Sequence, residues 1–204
     1  MTETKVGGLI LLSGALLLLI TIFFEYKIGW IGIERPETAI PHFIYDNWTE
    51  LGKIWSWQTL AHVLFTISYI LLLKNSKGIM SLLWSFMLLF GIMMVISLGI
   101  TVGSYYPALE VYNEQPQLFN TIRGAIKTLY FPAQLGSMLL LVIFLIELFS
   151  KEGVVNKKLG FITIGLVLIA FLLALITSIQ IKVIGAVWFI IPVILGYSYW
   201  KNIN

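Results

Sequence analysis

Six stretches of this chain are long enough and apolar enough to cross a lipid bilayer. They run from about Val6 to Phe24, Trp57 to Leu73, Ile79 to Val102, Leu129 to Phe149, Leu159 to Ile179 and Val183 to Trp200. A spanning helix needs roughly 20 mostly apolar residues. Hydrocarbon offers no partner to unpaired backbone groups, so only helices and closed barrels span. A barrel strand alternates apolar and polar residues, whereas Leu16-Leu17-Leu18-Leu19 is apolar on every face. The expected fold is an all-α membrane protein: one transmembrane domain, residues 1–204, with six transmembrane helices.

The charge content agrees. Only 11% of the 204 residues are charged, against about 25% in soluble domains. That leaves too little polar surface to cover a water-soluble globule, and the mean hydropathy is +0.94. The net charge of +3 is small. It is assigned to cytoplasmic loops, with the lipid bilayer rather than nucleic acid as the partner. Cysteine is absent, which excludes disulfides, thiolate catalysis, iron–sulfur ligation and Cys-rich zinc sites. The first stretch is read as a retained helix, because its apolar run is long and Phe23-Phe24-Glu25-Tyr26-Lys27 shows no small-residue cleavage pattern.

Lysine placement gives an orientation. Lys5, Lys74, Lys77, Lys151, Lys157, Lys158 and Lys201 fall in short turns and tails, where the positive-inside rule acts most strongly. Lys27, Arg35, Lys53, Arg123, Lys127 and Lys182 fall on the other side, mostly in two long segments. The expectation is a cell (inner) membrane, multi-pass protein with cytoplasmic N- and C-termini.

The first long segment, Glu25 to Ser56, carries a second signal. From Pro41 onward Ile44, Trp48, Leu51 and Trp55 share one helical face. His42, Asp46, Thr49, Glu50 and Lys53 share the other. This predicts an external amphipathic helix over about His42 to Trp55, leading into the second span, with Pro41 in its first turn. Trp30, Trp48, Trp55 and Trp57 crowd the same region, as interfacial tryptophans do.

Few residues could carry chemistry. His42, Asp46 and Glu50 recur at i, i+4, i+8 and are the candidates for a divalent metal. The plainer reading is a solvated helix face, and no metal or other cofactor is expected. His62 lies inside the second span with Gln58 nearby, and polar intramembrane residues are costly. It could equally serve helix packing alone. Arg123 and Lys127 precede the fourth span, with Tyr130 and Gln134 continuing their broad face inward. They suit an anionic substrate or lipid phosphate, or plain snorkelling to headgroups. Pro132 is a candidate kink. The ligand-binding set expected from sequence is therefore Gln58, His62, Arg123, Lys127 and Gln134, converging at the outer mouth if the second and fourth spans are neighbours.

No Asp or Glu falls mid-span, which speaks against a proton- or sodium-coupled carrier. No Walker motif, Gly-x-Ser-x-Gly elbow or His-Glu-x-x-His is present. Gly99 with Gly103, and Gly7 with Gly14, read as close-packing positions. The glycine-bearing first span, the long external loop, the tight Lys74–Lys77 turn and the Lys157-Lys158-Leu159-Gly160 start together resemble bacterial six-helix integral membrane families of unknown function. The size and span number are also similar to those of the vitamin-binding membrane subunits of energy-coupling transporters. The resemblance implies no activity and no site residues. Two functional classes follow: a non-enzymatic protein binding a small molecule or lipid at its extracytoplasmic face, or a membrane-embedded enzyme acting at the outer leaflet.

Overall fold

The computed structural model describes residues 2–176 and 189–201, and those residues are helical apart from short links. The helices are α1 (Glu3–Ile28), α2 (Ile40–Asp46), α3 (Trp48–Lys74), α4 (Ile79–Glu110), α5 (Pro116–Phe149), α6 (Lys157–Ile176) and α7 (Ile190–Lys201). Four of them, α1, α3, α4 and α5, are long and apolar enough to cross a membrane. The fifth and sixth expected spans lie only partly within the described residues, as 177–188 fall outside them, Lys182 included. Large apolar side chains point outward, among them Phe131 at 70% exposure and Phe23 at 63%. Hydrocarbon accepts such a surface and water does not.

Helix ends follow from local chemistry. Thr2 caps α1 by accepting the Lys5 N–H. Gly29 closes it in the left-handed region at φ 80°. The Trp30 N–H returns to the Glu25 carbonyl and the Gly29 N–H to that of Tyr26, a Schellman closure that only glycine makes without strain. Pro116 starts α5, where its missing N–H costs nothing. Asn156 caps α6 by accepting the Lys158 and Leu159 N–H groups.

Three expected boundaries move. α4 runs past Val102 to Glu110, and α5 begins at Pro116 rather than Leu129, so most of the second long loop is helical. Pro107 and Pro132 both lie inside continuous helices. The amphipathic segment is helical, with Ile44, Leu51 and Trp55 buried. It breaks at Asn47, however, and everything after the break belongs to α3.

α1 packs between α3 and α7, α4 packs between α3 and α5, and α6 touches α5 and α7 only lightly. Glycine sets the closest approach. A Cβ on Gly8 would sit 2.8 Å from the Gly196 carbonyl oxygen, and one on Gly196 would sit 2.8 Å from that of Gly8. Neither gap admits a side chain. On its other face α1 turns Gly14 toward Phe65 and Gly7 toward Leu72. The Ser68 hydroxyl donates to the Gly7 carbonyl across that seam, at 2.8 Å.

The buried side chains form two clusters. The larger surrounds Trp84, Phe144 and Tyr199 toward one end of the bundle. The smaller gathers Ile44, Trp55, Tyr105 and Phe119 at the other. Alternating helix direction brings Lys5, Lys74, Lys77, Lys151, Lys157, Lys158 and Lys201 to the first end. These are called below the lysine end and the aromatic end.

Candidate functional site

The aromatic end is built around one buried carboxylate. Glu25, in the last turn of α1, is 6% exposed and accepts the Trp55 indole N–H at 2.9 Å. Trp55 meets Trp30, Trp48 and Tyr105 edge-on. Trp30 stacks on Phe43, and the Arg35 guanidinium lies 3.6 Å from the Phe43 ring centre while donating to the Gly29 carbonyl. The link between α1 and α2, which holds one turn of 3-10 helix at Glu37–Ala39, is thus fastened to the bundle by rings and one cation. Glu37 pairs with Arg123 of α5 and clamps the link from its far side. Arg123 holds the Glu37 carboxyl below the usual carboxylate range, chiefly through that hydrogen bond.

Between α2 and the last turn of α4 this scaffold leaves a groove of about 320 Å³. His42, Tyr45 and Asp46 line it from α2; Glu110 and Tyr112 line it from α4 and the turn beyond. The His42 ring meets Tyr112 edge-on at 5.8 Å. Tyr45 stacks on Tyr106 with the two planes 4° apart. Among the described residues neither Asp46 nor Glu110 forms an ion pair, and no Lys or Arg lines the groove. Carboxylates beside ring faces, with no cation of their own, suit a positively charged guest.

The metal candidates do not act as a set. His42 and Asp46 share the groove, while Glu50 sits beyond the Asn47 break and does not line it. No group of three His, Asp or Glu at metal-holding distances occurs among the described residues.

The ligand-binding set expected from sequence is not brought together. α3 and α5 lie against α4 rather than along each other. Gln58 is buried on α3, and His62, half-buried, meets Phe65 edge-on. Arg123 is turned to Glu37, and Lys127 and Gln134 are exposed on α5. No family model, curated protein or solved structure matches the chain.

Sequence reasoning missed Glu25, Glu110, Glu147 and Tyr199 as structural or lining residues. Glu147 left a legible signal. It stands alone in the apolar run Leu145-Ile146-Glu147-Leu148-Phe149, and a carboxylate so placed needs a partner. Glu110 left none, because it falls within the long segment expected to be a loop after Val102.

Proposed function

We propose that this is a six-span membrane protein with both termini in the cytoplasm, and that it binds a small molecule or lipid headgroup bearing an ammonium group at its extracytoplasmic face. The observation that carries the reading is the groove between α2 and α4. Asp46 and Glu110 supply uncompensated negative charge, and Tyr45, Tyr112 and His42 supply ring surface. An ammonium ion over such rings gains about 0.5–2 kcal/mol per contact, and charge-assisted hydrogen bonds to the carboxylates add to it. Collection of seven lysines at the opposite end supports an outward-facing aromatic end. Tryptophans at the groove's flank suit the headgroup layer. A layout of this kind also fits the bacterial six-helix families that the chain resembles.

Titration of the purified protein with tetramethylammonium and with phosphocholine, followed by tryptophan fluorescence, tests the proposal. Saturable binding is expected, weakened at least about tenfold in Asp46→Asn and in Glu110→Gln. No saturable response to either probe, or equal affinity in all three proteins, would sink it. Turnover of a bound headgroup ester would move the assignment to the outer-leaflet enzyme instead.

A further inference from the structure

A second cavity opens at the lysine end and has a different character. It is about 210 Å³ and lies where α1 begins, α3 turns into α4, and α5 and α7 end. Glu147, Tyr199, Lys77, Thr4 and Ser76 are on its wall.

Glu147 is held from two sides. Its Oε1 accepts the Tyr199 hydroxyl at 2.5 Å, and its Oε2 accepts the Val154 backbone N–H at 2.9 Å. Each oxygen keeps a free lone pair. Tyr199 has spent its proton on Glu147, so its oxygen is also available as an acceptor. Behind Tyr199 the fully buried Trp84 packs edge-on against the phenol. Its Nε1 lies beside the Tyr199 hydroxyl, and Trp84 itself does not reach the cavity wall.

Lys77 supplies the opposite charge. Among the described residues it has no carboxylate within ion-pair distance, while its neighbour Lys74 is already paired with Glu3 at 3.0 Å. Lys77 and Glu147 therefore line one cavity, of opposite sign, without closing on each other. A simple anion would meet Glu147, and a simple cation would meet Lys77. A molecule carrying both charges would meet neither penalty.

We propose that this cavity binds a zwitterion, with its ammonium group on Glu147 and Tyr199 and its anionic group on Lys77 and the Thr4 and Ser76 hydroxyls. Phosphoethanolamine is the chemistry that fits, either as a phospholipid headgroup or as the free compound. The proposal is independent of the groove at the other end.

Native mass spectrometry of the delipidated protein tests it, with added phosphatidylethanolamine or phosphatidylglycerol, and with free O-phosphoethanolamine as competitor. Retention of the ethanolamine lipid over the glycerol lipid by about tenfold or more is expected. Lys77→Ala, a change at an exposed residue, is expected to weaken retention of both lipids by about tenfold without affecting folding, because both carry the phosphate it holds. Glu147→Gln is expected to remove the preference for the ethanolamine lipid. Its thermal melt reports whether it still folds, and weakened binding of O-phosphoethanolamine by Lys77→Ala decides the matter if it does not. Displacement by free O-phosphoethanolamine identifies the soluble zwitterion as a ligand; retention of the lipid against it identifies the lipid as the source. Equal retention of both lipids with no binding of O-phosphoethanolamine overturns the proposal, as does unchanged retention of the ethanolamine lipid in Lys77→Ala.

Discussion

Trp55 and Glu25 show how much one side chain can organise. The indole N–H donates to a carboxylate at 6% exposure, and hydrogen bonds to charged groups contribute about 1.5–3 kcal/mol. Trp55→Phe keeps the ring stacking and removes the donor. A loss of stability in that range is expected, read from the thermal melt in detergent; an unchanged melt would show that the bond contributes nothing. Glu37 gives a pH prediction. Its carboxyl is held below its ordinary value by Arg123, so the clamp is fully present above the ordinary carboxylate range. It is lost as pH falls through the lower, folded value. Glu37 side-chain chemical shifts should therefore titrate below those of a free glutamate, and Arg123→Gln should return them to the ordinary range. Glu25 was readable as a residue near the end of a span, but its burial was not. Burial depends on Trp55, which lies thirty residues away.

At the scale of helices, apolar run length located the four described helices that are long and apolar enough to cross a membrane. The same signal failed at the ends of α4 and α5. A helix leaving the bilayer keeps its internal hydrogen bonds in water, so loss of hydrophobicity does not mark its end. Pro116 was the available marker, since proline favours the first helical turn, and it lies thirteen residues before the expected start. The amphipathic stripe through Ile44, Leu51 and Trp55 was legible because it follows from spacing alone. The break at Asn47 was not. Glycines divide sharply by context. Gly196→Ala would force α7 off α1, because its Cβ would lie 2.8 Å from the Gly8 carbonyl, and overpacking of this kind costs about 1–3 kcal/mol. Gly99→Ala meets nothing within 4 Å among the described residues and should stay within about 0.5 kcal/mol of the parent. Comparable melts for the two variants would contradict this account of the seam.

At the scale of the whole molecule, sequence carried the class and not the arrangement. Hydropathy says which segments are helices; it does not say which helices touch. The grouping of Gln58 and His62 with Arg123 and Lys127 depended on α3 meeting α5, and α4 occupies that position. Lysine placement was more informative, since alternating helix direction is enough to collect Lys5, Lys74 and Lys77 at one end. Orientation is open to direct measurement in a chain with no cysteine of its own. Thr38→Cys should react with an impermeant maleimide in intact cells and Ser76→Cys should not; the reverse pattern would invert the protein.

The glycine seam also constrains biosynthesis. It joins α1, the first of the described helices to be made, to α7, which is made after every other described helix. Until residues 190–201 emerge, the Gly8 face of α1 has only lipid or a chaperone to lie against. Closure of this seam therefore waits for the last of the described helices, and a chain cut before residue 190 would present that open face to the quality-control proteases of the membrane.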